Sequence, residues 1–87
     1  MARYNVKLIP ACIRTSKAAA HADEFPITLS TDDFRAVYPF LADPMAAHMP
    51  MVQYRGCGHH SYGIVLDESG RMLGRDKVDA LIDEHGF

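Results

Sequence analysis

Cysteine is scarce in this chain, with Cys12 and Cys57 the only two among 87 residues. One internal disulfide is the most they can form. That is too few for the small secreted scaffolds that rely on bridges, so a reduced, cytoplasmic setting is expected. Long apolar runs are missing as well. No stretch approaches the ~18 residues of a membrane span, and residues 1–7 carry charge with no apolar run behind them, so neither a membrane protein nor a signal peptide is expected. Basic charge is not in excess: nine Lys and Arg stand against eleven Asp and Glu, a formal charge of −2. The counterion-release drive for nucleic acid is therefore weak, and nucleic acid is not the expected partner. Catalytic signatures are absent too: there is no Gly-rich phosphate loop before a helix, no Gly-x-Ser-x-Gly elbow and no His-Glu-x-x-His.

A hydrophobic content of 48% with 23% charged residues belongs to a folded chain rather than a disordered one. The length suits a single compact domain over residues 1–87, with one small core that buries roughly 60–65% of the unfolded surface. Charge is unevenly spread along it. The first twenty residues hold Arg3, Lys7, Arg14 and Lys17 and no acid, whereas residues 21–50 hold Asp23, Glu24, Asp32, Asp33 and Asp43 against Arg35 alone.

Tyr4, Val6 and Leu8 alternate with Asn5 and Lys7, the period of a half-buried strand, and Pro10 ends that strand or makes it an edge. Thr15 and Ser16 precede an alanine-rich segment, residues 17–24, that reads equally as a short helix or a solvated loop. Residues 27–29 are extended, and Ser30 with Asp33 has the spacing of a capping box. Phe34, Val37, Tyr38 and Leu41 then follow helical spacing until Pro39 interrupts it. Residues 51–55 and 62–66 read as two strands pairing antiparallel across a loop at 56–61. Asp67-Glu68-Ser69-Gly70 reads as a turn that returns a third strand through residues 71–73. Val78, Leu81, Ile82 and His85 form the stripe of an amphipathic C-terminal helix that Gly86 terminates. The expected architecture is α+β: a small three- to four-stranded antiparallel sheet with two to three short helices packed on one face.

Chemistry concentrates in Gly56-Cys57-Gly58-His59-His60-Ser61, where a thiol, two imidazoles and two permissive glycines meet. A zinc site built on Cys57 with His59 or His60 needs further ligands from scattered residues such as Cys12, His21, His48 or His85. In an extended backbone His59, two residues on, shares a face with Cys57 and His60 does not. The competing reading of this stretch is a surface loop between strands. Thiol catalysis needs a base and a pocket besides, and ranks below both. Adjacent carboxylates such as Asp32-Asp33 point apart on a helix, so cap and surface roles suit them better than acid/base work.

The middle of the chain favours a contact surface. Phe40, Met45, Met49, Met51 and Tyr54, with Asp32 and Asp33 beside them, exceed what two short helical turns readily bury, and methionine and tyrosine are over-used at adaptable interfaces. The function expected from the sequence is a small non-catalytic binding module, an inhibitor or adaptor of the kind phages and mobile elements encode. It would act by covering the surface of another protein or of a second copy. The alternative is a small zinc-binding protein using Cys57 with His59 or His60; beyond that zinc no cofactor is expected.

Overall fold

The computed structural model describes residues 2–42 and 51–86. Strand β1, Tyr4–Pro10, forms the middle of a three-stranded antiparallel sheet, between β2, Ile27–Thr31, and β5, Ser61–Leu66. Strands β3, Val52–Tyr54, and β4, Cys57–His59, make a separate two-stranded hairpin. No helix among the described residues is long and apolar enough to cross a membrane. The expected α+β architecture on a small antiparallel sheet is the one observed.

Alternation in β1 suggests one wet face, yet the strand is covered on both sides: Val6 and Ile9 are 0% exposed, and so is Asn5. Its polar residues are absorbed by specific partners. Asn5 Nδ2 donates to the carbonyls of Ala2 at 2.7 Å and Asp67 at 3.4 Å, while its Oδ1 accepts from the Ser30 hydroxyl at 2.8 Å. Lys7 reaches out of the sheet and donates from Nζ to the Ala22 carbonyl at 2.8 Å. A buried amide is tolerated when its bonds are made, which is how a polar position came to sit inside. Pro10 closes the ladder opposite Ser61, and the next amide, that of Ala11, donates to the His60 carbonyl at 2.6 Å.

The expected pairing of residues 51–55 with 62–66 is replaced by another. β3 pairs with β4, Val52 opposite His59 and Tyr54 opposite Cys57, while β5 runs against β1. The reason lies in Arg55-Gly56, whose φ angles of 54° and 83° are the positive pair of a type I′ turn. That turn has the twist of a two-residue hairpin, so the chain reverses there and not across residues 56–61. The turn at Asp67 is as expected. The Gly70 amide donates to the Asp67 carbonyl at 3.0 Å, and Asp67 Oδ1 accepts from the Ser69 hydroxyl and from the amides of Ser69 and Arg71. The Ser69 hydroxyl foremost, and then the Arg71 and Ser69 amides, hold the Asp67 carboxyl below its ordinary range. The third strand expected at 71–73 shrinks to one bridge, Leu66 to Met72, with the Leu73 amide on the Val65 carbonyl at 2.8 Å. Gly74 is already the N-cap of the next helix, so no room is left for a longer ladder.

On one face of the sheet lie α2, Phe34–Val37, α3, Pro39–Ala42, and α4, Arg75–His85. Helix α2 starts from Asp33 and not from Ser30, which still belongs to β2: the Asp33 carboxylate accepts from the Arg35 amide at 3.0 Å, and Thr31 Oγ1 accepts from the Asp33 amide at 3.0 Å. Phe34 and Val37 enter a core with Tyr4, Val6, Val65 and Leu73, against which the stripe Val78, Leu81 and Ile82 packs half-buried. The His85 ring lies 5.2 Å from Phe34, and Gly86, at φ 77°, ends the helix. Gly63 is needed for this layer: a Cβ there would stand 2.7 Å from the Phe40 carbonyl oxygen, so only glycine lets α3 settle this close to β5.

The other face is covered by the alanine segment. It forms three short turns, Thr15–Lys17, α1 at Ala18–His21, and Ala22–Glu24. Ala18 and Ala22, one helical turn apart, pack with Phe25 and Ile13 onto Ile9, Tyr62, Ile64 and Leu66. Their small side chains bring the segment's backbone close to the sheet, and the Lys7 bond to Ala22 fixes it there.

Candidate functional site: a cationic cleft beside the hairpin

The register of the hairpin sorts its side chains. Val52, Tyr54, Cys57 and His59 share one face, and Gln53 and Gly58 the other. The first face turns inward, with Val52 and Tyr54 packed against the core that holds Phe25 and Tyr62. Met51 lies on the outer face, since a Cβ on Gly58 would stand 3.7 Å from its Cε.

Between the inner face and the segment after β1 runs a cleft of about 530 Å³. One wall is Cys12, Ile13, Arg14, Lys17 and His21; the other is Tyr54, Arg55, Cys57 and His59. Three of these nine residues are cations and none is a carboxylate. Cations gathered along a concave surface focus a positive potential into it. The ion pairs among the described residues are His21 with Glu24, at 2.5 Å, and Arg75 with Asp79, at 3.9 Å, so Arg14, Lys17 and Arg55 have no acidic partner there. Arg55 instead lies over the Tyr54 ring, its Cζ 5.2 Å from the centroid, and Tyr54 in turn packs on Phe25 at 5.6 Å.

The first wall is tied to the sheet by Tyr62, whose hydroxyl donates to the Ile13 carbonyl at 2.6 Å. Burial, and secondarily the charge of a Cys12 thiolate, push the Tyr62 pKa above 10.0. Folding thus favours the neutral phenol, a contribution that is complete below pH 10 and is lost as pH rises from the unfolded value through the raised one. Thermal melts should show wild type losing stability more steeply above pH 10 than Tyr62→Phe, which is itself about 1 kcal/mol less stable at neutral pH for want of the hydrogen bond. Parallel curves through the alkaline range would mean that Tyr62 is not the group responsible.

The residues singled out in the sequence are distributed as follows. Cys57 and His59 line the cleft together with Cys12 and His21. His60 follows the alternation to the opposite side and is exposed, and its carbonyl takes the Ala11 amide. Among the described residues no group of three or more His, Cys, Asp or Glu stands close enough to hold a metal ion. Asp32 and Asp33 follow Thr31, which pairs with Tyr4, so they sit at the opposite end of β1 from Pro10 and the hairpin, about 20 Å away for a strand of this length. Asp32 accepts from the Arg3 amide at 2.9 Å, and Asp33 is the α2 cap. Phe40 is half-buried against Gly63, Tyr54 is half-buried in the cleft wall, and Met51 is 56% exposed. Met45 and Met49, with His48, lie outside the described residues.

Arg14, Lys17 and Arg55 were not candidates in the sequence. Two signals pointed at them: the acid-free first twenty residues, and an arginine preceding glycine between two extended stretches, where asparagine or aspartate is the usual occupant of a tight hairpin. Compared with protein-family models, curated proteins and solved structures, the chain finds no match in any of the three.

Proposed function

We propose that this protein is a small binding module that acts by covering the surface of a protein partner, with the β3–β4 hairpin as its contact element. One observation carries the reading. The hairpin stands outside the main sheet and presents Met51, 56% exposed, across Gly58 on its outer face, while its tip presents Arg55 beside Tyr54. Methionine, arginine and tyrosine are the residue types enriched where proteins meet. No acid occurs between residues 51 and 66 to oppose an acidic or neutral partner surface. The type I′ turn holds the tip in one conformation, which lowers the ordering cost of contact.

Met51→Glu is the direct test, because the side chain is largely solvated and its replacement should change stability by no more than about 0.5 kcal/mol. Chemical crosslinking and sedimentation with the wild-type chain should recover a partner, or a second copy, whose capture falls at least about tenfold in the variant, the loss of one interface anchor. Equal capture by the two proteins would remove the hairpin from the interface. Asp32 is the better site for probing the acidic end of the sheet, since reversing Asp33 would also remove the α2 cap, at about 1 kcal/mol.

A second reading has one observation in its favour: both cysteines and two of the five histidines line a single cleft. Zinc held by Cys57 and His59, with Cys12 or His21, is the chemistry such a set supports. These side chains would have to converge further than they do here. Stoichiometric zinc in the purified protein, and a melting temperature that falls with chelator, would mark it.

A further inference from the structure

The charge of the cleft points to an occupant of opposite sign. We propose that it binds the phosphate groups of a small phosphate-bearing molecule, with Arg14, Lys17 and Arg55 as the binding cations and Tyr54 as an apolar wall. Two independent observations carry this. The first is the set of three cations with no carboxylate in the walls and no acidic partner among the described residues. Guanidinium groups present a planar fork that matches phosphate oxygens two at a time, and the lysine adds a point charge. Three positive charges match a di- or triphosphate better than a single phosphate, and about 530 Å³ is within the range of small-ligand pockets.

The second is the backbone of Arg55. At φ 54° it is the only residue other than glycine with a positive φ among those described. The hairpin alone would be better served by asparagine at this position, and the left-handed conformation costs an ordinary side chain roughly 1 kcal/mol. Strain of this kind concentrates at binding sites, where the side chain is retained for what it contacts. Here it sets a guanidinium at the mouth of the cleft, braced on the Tyr54 ring. The cleft shares Arg55 and Tyr54 with the contact surface proposed above, whereas Met51 lies on the hairpin's outer face, so Met51→Glu tests that surface and leaves the cleft walls untouched.

Arg55→Asn separates binding from folding, since it removes the cation while installing the residue the turn prefers. Titration calorimetry of the full chain would use inorganic pyrophosphate and ADP as probes, in low salt, each titrated with and without a chelator. The rate of alkylation of Cys12 and Cys57 serves as a second readout, as both thiols line the cleft. Wild type is expected to bind one or both probes, to protect its thiols when bound and to lose affinity as salt is raised. The variant is expected to melt no lower than wild type and to bind about tenfold more weakly, the effect of one charge-assisted contact. Binding of pyrophosphate as tight as that of ADP identifies the phosphates alone as the determinant; tighter ADP binding adds the nucleoside to the ligand. Equal affinity in Arg55→Asn and wild type would overturn the assignment, as would binding of neither probe at millimolar concentration. Binding abolished by the chelator would also overturn it, by showing that a metal and not the arginines holds the anion. So would a single-stranded oligonucleotide that binds far more tightly than either probe, because the cleft would then be part of a nucleic-acid surface.

Discussion

Phe34→Ala is expected to destabilise the protein by about 3–5 kcal/mol, the range for emptying a fully packed aromatic site. Phe34 is 1% exposed and meets the Tyr4 ring edge-on at 5.5 Å and the His85 ring at 5.2 Å. It therefore joins β1, α2 and α4 through one side chain. A domain of this length holds roughly 4–13 kcal/mol in total, so the loss is a large share, and the melting temperature should fall by at least about 15 °C. Helix α4 should suffer most. None of its residues is fully buried, and its half-buried stripe depends on the core that Phe34 fills. Hydrogen exchange should show α4 amides opening well before those of β1 and β5. A fall below about 5 °C, or uniform acceleration across the chain, would mean that α4 is held by something other than this core.

Ile9→Ala tests the opposite face and is expected to cost about 2–5 kcal/mol. Ile9 is 0% exposed and packs among Ile13, Ala18, Ala22, Phe25 and Tyr62. Removing three methyl and methylene carbons there leaves the alanine turns with little to rest on, since alanine itself buries little area. The segment from Cys12 to His21 is also the first wall of the cleft, so hydrogen exchange should accelerate across the Ala18–Ala22 turns as the protein melts lower. Both substitutions act through β1, the strand common to the two cores. Each should therefore shift a single cooperative transition seen alike by circular dichroism and tyrosine fluorescence. Two resolved transitions in either variant would show that the faces fold as separate units.

Several elements were legible because their cause is local. The C-terminal helix follows from the spacing of Val78, Leu81, Ile82 and His85 and from Gly86. The break at Pro39 follows from a missing amide and a ring clash, and the turn at Asp67 from a side chain that bonds its own backbone. The pairing of strands was not legible in this way. Residues 51–55 and 62–66 are both extended, and nothing in their composition says which partner each takes. Arg55-Gly56 carried the answer, but arginine at the first turn position conceals a type I′ signal that asparagine would have announced. Asn5 misled for a similar reason: a polar residue in an alternating strand reads as solvated unless its partners, Ala2, Asp67 and Ser30, are known to converge on it.

The candidate site shows the same division. Alternation along an extended chain puts His59 on the side of Cys57 and His60 on the other, whatever the fold. That Cys12, Arg14, Lys17 and His21 face them across a cleft depends on β1 pairing with β5, on the Tyr62 bond to the Ile13 carbonyl, and on the alanine segment docking on Ile9. By itself the sequence determined the elements governed by neighbours within about one helical turn, where sterics, capping and periodicity act on adjacent residues. Strand order, the covering of the second face and the convergence of three cations were decided by contacts between residues about ten to sixty positions apart, whose energies exist only once the chain has closed on itself.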